Sequence, residues 1–120
     1  MAYKYINTEY LESVSGGDKE TIREIVTMFK DQVGEFHNEM KSFFDKKDYY
    51  SLGLLAHKAK SSVAIMGMDE LAALLKTFEL EAKVNQNTGN YPAYIEKFRN
   101  DTAEALKELD DLLSKSQKEG

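Results

Sequence analysis

The sequence has no cysteine, a single proline and no long apolar run. Without cysteine it has no disulfide framework, no thiolate nucleophile and no cysteine ligand for a metal ion. An apolar stretch of about 20 residues would be needed to span a bilayer, and the N-terminus lacks the basic and apolar pattern of a signal peptide. We therefore expect a cytoplasmic protein, and the lack of cysteine is consistent with a reducing compartment.

Charge and glycine spacing exclude two further classes of function. The net charge is −5, from 21 acidic and 16 basic residues, whereas nucleic-acid-binding proteins carry a basic patch or stripe. No glycine-rich phosphate loop is present, so we expect no nucleotide site and no kinase activity. The length of 120 residues fits a single domain over 1–120 that buries a core without disulfides.

Apolar residues recur at three- and four-residue intervals along most of the chain, which is the period of one face of an α-helix. No strand pattern competes with it. The predicted apolar stripes are Ile22, Ile25, Val26, Phe29, Val33, Phe36, Met40 and Phe43; Leu52, Leu55, Ala59, Val63 and Met66; Leu71, Leu74, Leu75, Phe78 and Ala82; and Ile95, Phe98, Thr102, Ala105, Leu109 and Leu112.

Capping and helix-breaking residues separate these stripes. A short helix is expected near residues 8–14, and a polar tail over 114–120 is expected to be frayed. The predicted boundaries are, in chain order, a break at Gly16 and Gly17, N-caps at Asp18 and Asp48, a stop at Gly67, an N-cap at Asp69 and a first-turn proline at Pro92. Four long helices joined by short turns predict a monomeric all-α protein: an antiparallel up-down-up-down four-helix bundle with a short extra N-terminal helix.

The candidate functional residue is His57, in the middle of the third long helix. Imidazole has an unperturbed pKa near neutrality, so the neutral ring can act as a nucleophile without a strong base. On a helical wheel, His57 points away from the apolar stripe of its own helix, with Gly53, Ser61 and Ala64 beside it. Lys60 projects from the same face and could neutralise an anion attached to the ring. The pattern predicts an accessible imidazole on a flat surface that suits docking with another protein.

The segment 57–67 resembles the signature of the histidine-containing phosphotransfer (HPt) domain family. That signature is H-x-x-K-G-[SA]-[SA], with glycine ten residues after the histidine and an apolar residue four further on. The chain matches it at His57, Lys60, Ser62, Gly67 and Leu71, and departs from it at Ser61, where glycine is commonest, and at Ala59, where a larger aliphatic residue is usual. Residues 10–18 are similar to the family's short first helix and turn.

The resemblance implies a phosphocarrier of a two-component phosphorelay, not an enzyme. His57 would accept a phosphoryl group from the phosphoaspartate of a receiver domain and pass it to the aspartate of another. The partners implied are receiver domains of response regulators and hybrid histidine kinases. No intrinsic cofactor is implied, because the partner receiver would supply Mg²⁺.

A carboxylate that orients the ring is expected on the helix after Gly67. If the two helices form a hairpin, the residues level with His57 lie near Lys76 to Glu79, and a carboxylate there could accept a hydrogen bond from one ring nitrogen. The position 22 residues after the histidine often has this role in the family, and here it is Glu79. Both Glu79 and Lys76 could equally be ordinary solvated helix residues.

The surface around His57 is the predicted docking face. Its residues are Gly53, Leu54, Lys58, Ser61, Ala64 and Lys76, and Leu54 and Ile65 are either an apolar rim for a partner or packing residues. His37 falls level with His57 but lacks the acidic or cysteine neighbours of a metal site, so no metal site is expected. The remaining alternative is a helical interaction module without phosphoryl chemistry. A hydrolase or metalloenzyme fits less well, because no nucleophile–base–acid trio is evident.

Overall fold

The computed structural model describes residues 3–119, without the side chains of Val14 and of residues 115–119. Over this range the chain is helical and contains no strand. The helices are α1 (Thr8–Ser15), α2 (Lys19–Asp45), α3 (Tyr49–Ile65), α4 (Asp69–Lys83) and α5 (Tyr91–Glu119), with a 3-10 turn at Thr88–Asn90 before α5.

The four long helices form an elongated antiparallel bundle, which confirms the predicted fold class. Its principal extents are 49 × 20 × 20 Å. Each long helix packs against two others, in the cyclic order α2, α3, α4, α5, and α3 and α4 make the most extensive contact. The short helix α1 packs against α2 and α3. Short turns between consecutive helices produce this up-and-down topology.

Most of the core comes from the predicted apolar stripes, and Ile6, Leu11 and Tyr91 join it although no stripe included them. Large side chains with little or no exposed surface come from every long helix, and burial of such side chains is the main favourable contribution to folding. They include Phe29 and Met40 of α2, Leu52 and Val63 of α3, Leu71, Leu75 and Phe78 of α4, and Tyr91, Phe98 and Leu109 of α5.

The helix ends follow the capping residues with one exception. The carboxylates of Asp18 and Asp48 accept hydrogen bonds from the backbone N–H groups of Thr21 and Ser51. The predicted N-cap at Asp69 is wrong: the N-cap of α4 is Met68, which makes no side-chain capping bond. Because Met68 is buried in the core, packing sets the start of the helix. Asp69 lies in the first turn instead, where a negative charge is favourable to the helix dipole.

The segment before α1 is held across the end of the bundle. The backbone N–H of Asn7 donates to the carbonyl of Met66 at 3.0 Å. The carboxylate of Glu108 on α5 accepts three further backbone N–H groups, those of residues 4, 5 and 6, at 2.9–3.1 Å. This segment therefore links the α3–α4 turn to α5.

The other end of the chain is α5, whose backbone is helical to Glu119. The tail predicted over 114–120 falls mostly outside the described side chains. Within residues 3–119, no helix combines the length and the hydropathy that crossing a bilayer requires.

Candidate functional site

His57 lies in the middle of α3, on the side of the helix opposite the core. Its side chain is 55% exposed, whereas Leu52, Leu55, Ala59 and Val63 of the same helix are buried. The helical periodicity of the sequence predicts this placement, because the apolar stripe fixes which face of α3 packs inward.

Glu79 on α4 makes the expected contact with the ring. Its Oε1 lies 3.1 Å from Nδ1 of His57, and its side chain is only 9% exposed. An ionised carboxylate can only accept hydrogen bonds, so Nδ1 of a neutral ring carries the proton and donates it to Glu79. The lone pair of the neutral imidazole is then on Nε2.

Two lysines neutralise this buried carboxylate. Nζ of Lys83 lies 2.9 Å from Oε2 of Glu79, and Nζ of Lys60 lies 3.6 Å from Oε1. The hydrogen bond from Lys83, helped by that from His57, lowers the pKa of Glu79 to about 2 although burial acts in the opposite direction. Glu79 is therefore ionised at neutral pH and remains a hydrogen-bond acceptor.

The site as a whole has an excess of positive charge. Lys60 and Lys83 are 25% and 33% exposed, and they share one carboxylate beside a neutral imidazole. A multiply charged anion bound to the ring would find both ammonium groups nearby. Lys83 was not among the residues predicted from the sequence. Its position one helical turn after Glu79, a favourable spacing for a Glu–Lys pair, was the available signal.

Most of the predicted docking residues are accessible. Leu54, Lys58, Ser61 and Lys76 are exposed, and Ala64 is half-buried. Gly53 is buried, so its assignment to the exposed face is wrong. The cause is the close packing of α4, since a Cβ added at Gly53 would lie 2.9 Å from Cγ of Lys83 and 3.0 Å from the carbonyl oxygen of Glu79.

An apolar groove between α2 and α3 adjoins the site. Its lining residues are Ile25, Met28, Phe29, Gln32, Ser61, Ser62, Ile65 and Met66, and we call it the α2–α3 groove. Met28 is 60% exposed and Ile65 43% exposed. Ser61 lies one turn after His57 on α3, so the groove comes within one helical turn of His57 along this helix. The α2 residues of the groove were not predicted, because only the packing of α2 on α3 brings them beside Ser61.

His37 has a different environment from His57. It is half-buried on α2 and lines a pocket together with Lys41 and with Glu96 and Arg99 of α5. Burial, and then the charges of Lys41 and Arg99, lower its pKa. Among the side chains that the structure describes, no three or more histidine, aspartate or glutamate groups are placed to hold a metal ion.

One comparison with known proteins gives a match. The family model described as Hpt domain matches residues 24–119, a range that contains α3, α4 and every residue of the site. The match begins within α2, so the similarity expected over residues 10–18 lies outside it. A search of curated proteins and a search of solved structures gave no match.

Proposed function

The chain belongs to the Hpt domain family, and from that premise we propose that it carries a phosphoryl group on Nε2 of His57 between the aspartates of receiver domains. Hpt domains are phosphocarriers rather than enzymes. The observation that carries the proposal is the 3.1 Å contact between Nδ1 of His57 and Glu79. It assigns the proton to the inner nitrogen and leaves the outer one as the nucleophile.

The transfer step follows from this tautomer. The Nε2 lone pair attacks the phosphorus atom of the receiver's aspartyl phosphate, the N–P bond forms, and the P–O bond to the aspartate breaks. The aspartate leaves as a carboxylate. The ring keeps its Nδ1 proton and becomes positively charged, and the ionised Glu79 beside it stabilises that charge. Transfer to a second receiver is the reverse of this step, with water excluded by the docked partner.

Lys60 and Lys83 both add positive charge at the site, but we give them different roles. Their ammonium charges lie beside the ring, where the oxygens of a phosphoryl on Nε2 would add negative charge. The 3.6 Å separation of Lys60 from Glu79 is longer than the 2.9 Å separation of Lys83. Lys60 is therefore the lysine that we assign to the phosphoryl group, and Lys83 mainly holds Glu79. Mg²⁺ is expected in the acidic pocket of the partner receiver.

The receiver would dock on the surface around His57. Exposed Leu54, Lys58, Ser61 and Lys76, with Ala64, form one part of the proposed docking face. The α2–α3 groove adds apolar area on one side. Lysines at the rim suit a partner whose phosphorylation pocket is acidic. We also propose that the carrier acts as a monomer in the cytoplasm, since His57 needs to be accessible to a receiver. Light scattering at working concentration tests the monomer.

The experiment is a transfer assay followed by mapping of the label. Candidate receivers are phosphorylated with acetyl phosphate and Mg²⁺, freed of the donor and mixed with the chain. We expect acid-labile phosphate on His57, found by mass spectrometry under non-acidic conditions. His57→Gln should accept none and keep its helical circular dichroism, and the matched control His37→Gln should accept as wild type does. Label on any other residue would contradict the assignment to His57, and receivers that bind tightly at His57 without transfer would favour the interaction module instead.

A further inference from the structure

Gly53 and Lys83 face each other one helical turn away from the His57–Glu79 contact. Gly53 precedes His57 by one turn on α3, and Lys83 follows Glu79 by one turn on the antiparallel α4. A Cβ at position 53 would lie 2.9 Å from Cγ of Lys83, 3.0 Å from the carbonyl oxygen of Glu79 and 3.2 Å from the amide nitrogen of Lys83. The aliphatic stem of Lys83 thus lies in the space that a side chain at position 53 would occupy.

This placement connects Gly53 to the chemistry of the ring. With its stem against α3, Lys83 brings Nζ to 2.9 Å from Oε2 of Glu79. The other carboxylate oxygen, Oε1, accepts from Nδ1 of His57 at 3.1 Å. The orientation of the carboxylate is set by both bonds together, since each oxygen has a separate partner.

We propose that Gly53 is a positioning residue: its lack of a side chain gives Lys83 the space in which it holds Glu79, and Glu79 in turn fixes the tautomer of His57. The consequence for transfer rests on the proposed function. The geometric coupling of Gly53 to the ring is independent of it.

Gly53 differs in this respect from a glycine that is merely tolerated in a helix. Gly34, in the middle of α2, has no atom within 4 Å of an added Cβ. Glycine destabilises a helix interior relative to alanine, so alanine at a position without steric contacts should increase the stability of the helix. At Gly53 an added methyl group would instead meet Cγ of Lys83 at 2.9 Å and two backbone atoms of α4 at 3.0 and 3.2 Å, so the Lys83 side chain has to move aside.

The experiment is a double-mutant cycle read by NMR. The variants are Gly53→Ala, Lys83→Ala, the double variant, and Gly34→Ala as the matched control. The readouts are the pKa of Glu79 from its ¹³C carboxyl shift and the His57 tautomer from its ¹⁵N ring shifts. Gly53→Ala should raise the pKa of Glu79 by about one unit or more, as expected when a charge partner leaves a carboxylate, and should reduce the fraction of Nδ1–H tautomer. Gly34→Ala should change neither quantity.

The coupling between the two substitutions shows whether Gly53→Ala acts through the Lys83 side chain or through general helix packing. In the Lys83→Ala background, adding Gly53→Ala should shift neither the Glu79 pKa nor the tautomer further. Equal shifts in both backgrounds, or no shift in the single variant, would overturn the proposal. If Gly53→Ala does not fold, Lys83→Met serves in its place, because it keeps the stem and removes the charge. A wild-type tautomer and Glu79 pKa in Lys83→Met would likewise overturn it.

The NMR readouts separate this proposal from the proposed function. If the cycle shows the expected coupling but no receiver transfers phosphate to His57, the positioning role stands and the phosphocarrier function is wrong. If both hold, Gly53→Ala should slow transfer about tenfold, and the double variant should be no slower than Lys83→Ala.

Discussion

Oε1 of Glu79 lies 3.1 Å from Nδ1 of His57, across the contact between α4 and α3. Glu79 is almost buried and the ring of His57 is mostly exposed. Nδ1 therefore contacts an interior group, while the rest of the ring remains open to solvent. Such an arrangement suits a nucleophile that a partner protein has to reach, because the inner hydrogen bond orients the ring before the partner docks. Four predictions follow from the contacts around this pair and elsewhere in the bundle.

Lys60→Ala should slow phosphoryl transfer by more than it weakens receiver binding. If the proposed function holds, the ammonium of Lys60 would stabilise the transferring phosphoryl group more than the bare imidazole, and binding energy expressed mainly in the transition state appears as rate. A charge-assisted contact of ~1.5–3 kcal/mol corresponds to a roughly ten- to hundred-fold slower transfer. Stopped-flow rates set beside calorimetric affinities provide the measurement. Lys107→Ala, which removes an exposed lysine of α5 outside the proposed docking face, is the control and should affect neither transfer nor binding. An equal loss of rate and affinity in Lys60→Ala would make Lys60 a docking residue.

Glu79→Gln should be destabilising at neutral pH, and the difference from wild type should shrink in acid. The pKa of Glu79 falls from 4.5 to about 2 on folding, so the folded state favours the ionised form. This contribution is complete above pH ~4.5 and is lost as the pH falls from there through ~2. A shift of that size corresponds to about 3 kcal/mol. Urea unfolding of both proteins from pH 7 to pH 2 measures it.

Glu96→Gln is the control for this pH dependence. Glu96 is mostly exposed and lies 3.7 Å from Arg99, and exposed ion pairs contribute little. Its difference from wild type should stay nearly constant over the same range. A Glu79→Gln difference that is also constant with pH would contradict the assignment of an ionised, stabilising carboxylate.

Met28→Ser and Ile65→Ser should weaken receiver binding without unfolding the bundle. Both side chains are more than two-fifths exposed and border the α2–α3 groove. Their substitution would therefore remove apolar contact with a docked receiver and leave the core packing unchanged. The loss of roughly 1–1.5 kcal/mol of apolar contact per residue amounts to about a five- to tenfold weaker affinity. Val84→Ser, at an equally exposed apolar position at the end of α4, should bind as wild type does. Calorimetry distinguishes the three variants, and uniform weakening would indicate that the groove is not the contact area.

Gly67→Ala and Gly34→Ala should change stability in opposite directions. Gly67 has φ +75°, a conformation that disfavours a side chain, and an added Cβ would clash with Cβ of Asn7. We expect a loss of about 2 kcal/mol or more, because backbone strain and displacement of the N-terminal segment combine. Gly34, helical with nothing near an added Cβ, should gain about 0.5–1 kcal/mol as alanine. Urea denaturation measures the change in the free energy of unfolding of both variants. No change for Gly67→Ala would contradict the expected strain and clash at this position.

The helices and their inward faces were predictable from the amino-acid sequence alone. Apolar spacing and caps are local properties, since a helix repeats every 3.6 residues whatever its neighbours do. From these properties the four long helices, the caps at Asp18 and Asp48 and the outward position of His57 were predicted correctly. The predicted cap at Asp69 was wrong because a local capping signal does not always decide where a helix begins. At α4 the burial of Met68, a tertiary effect, sets the start of the helix instead.

Only the tertiary structure decided how the site is assembled around that histidine. The distance from Lys83 to Glu79, the space at Gly53 and the groove lined from α2 all depend on how closely and in which register two helices pack, and this varies with side chains far apart in the sequence. Counting residues on either side of the α3–α4 turn predicted that Glu79 lies near His57. That count could not show that Lys83 shares the carboxylate or that α4 covers Gly53. The sequence alone therefore determined which residue is the candidate nucleophile and which way it faces. The packing of α3 against α4 decided its tautomer, its charge environment and which neighbours remain exposed, because those properties change when the distances between atoms of the two helices change by a few tenths of an ångström.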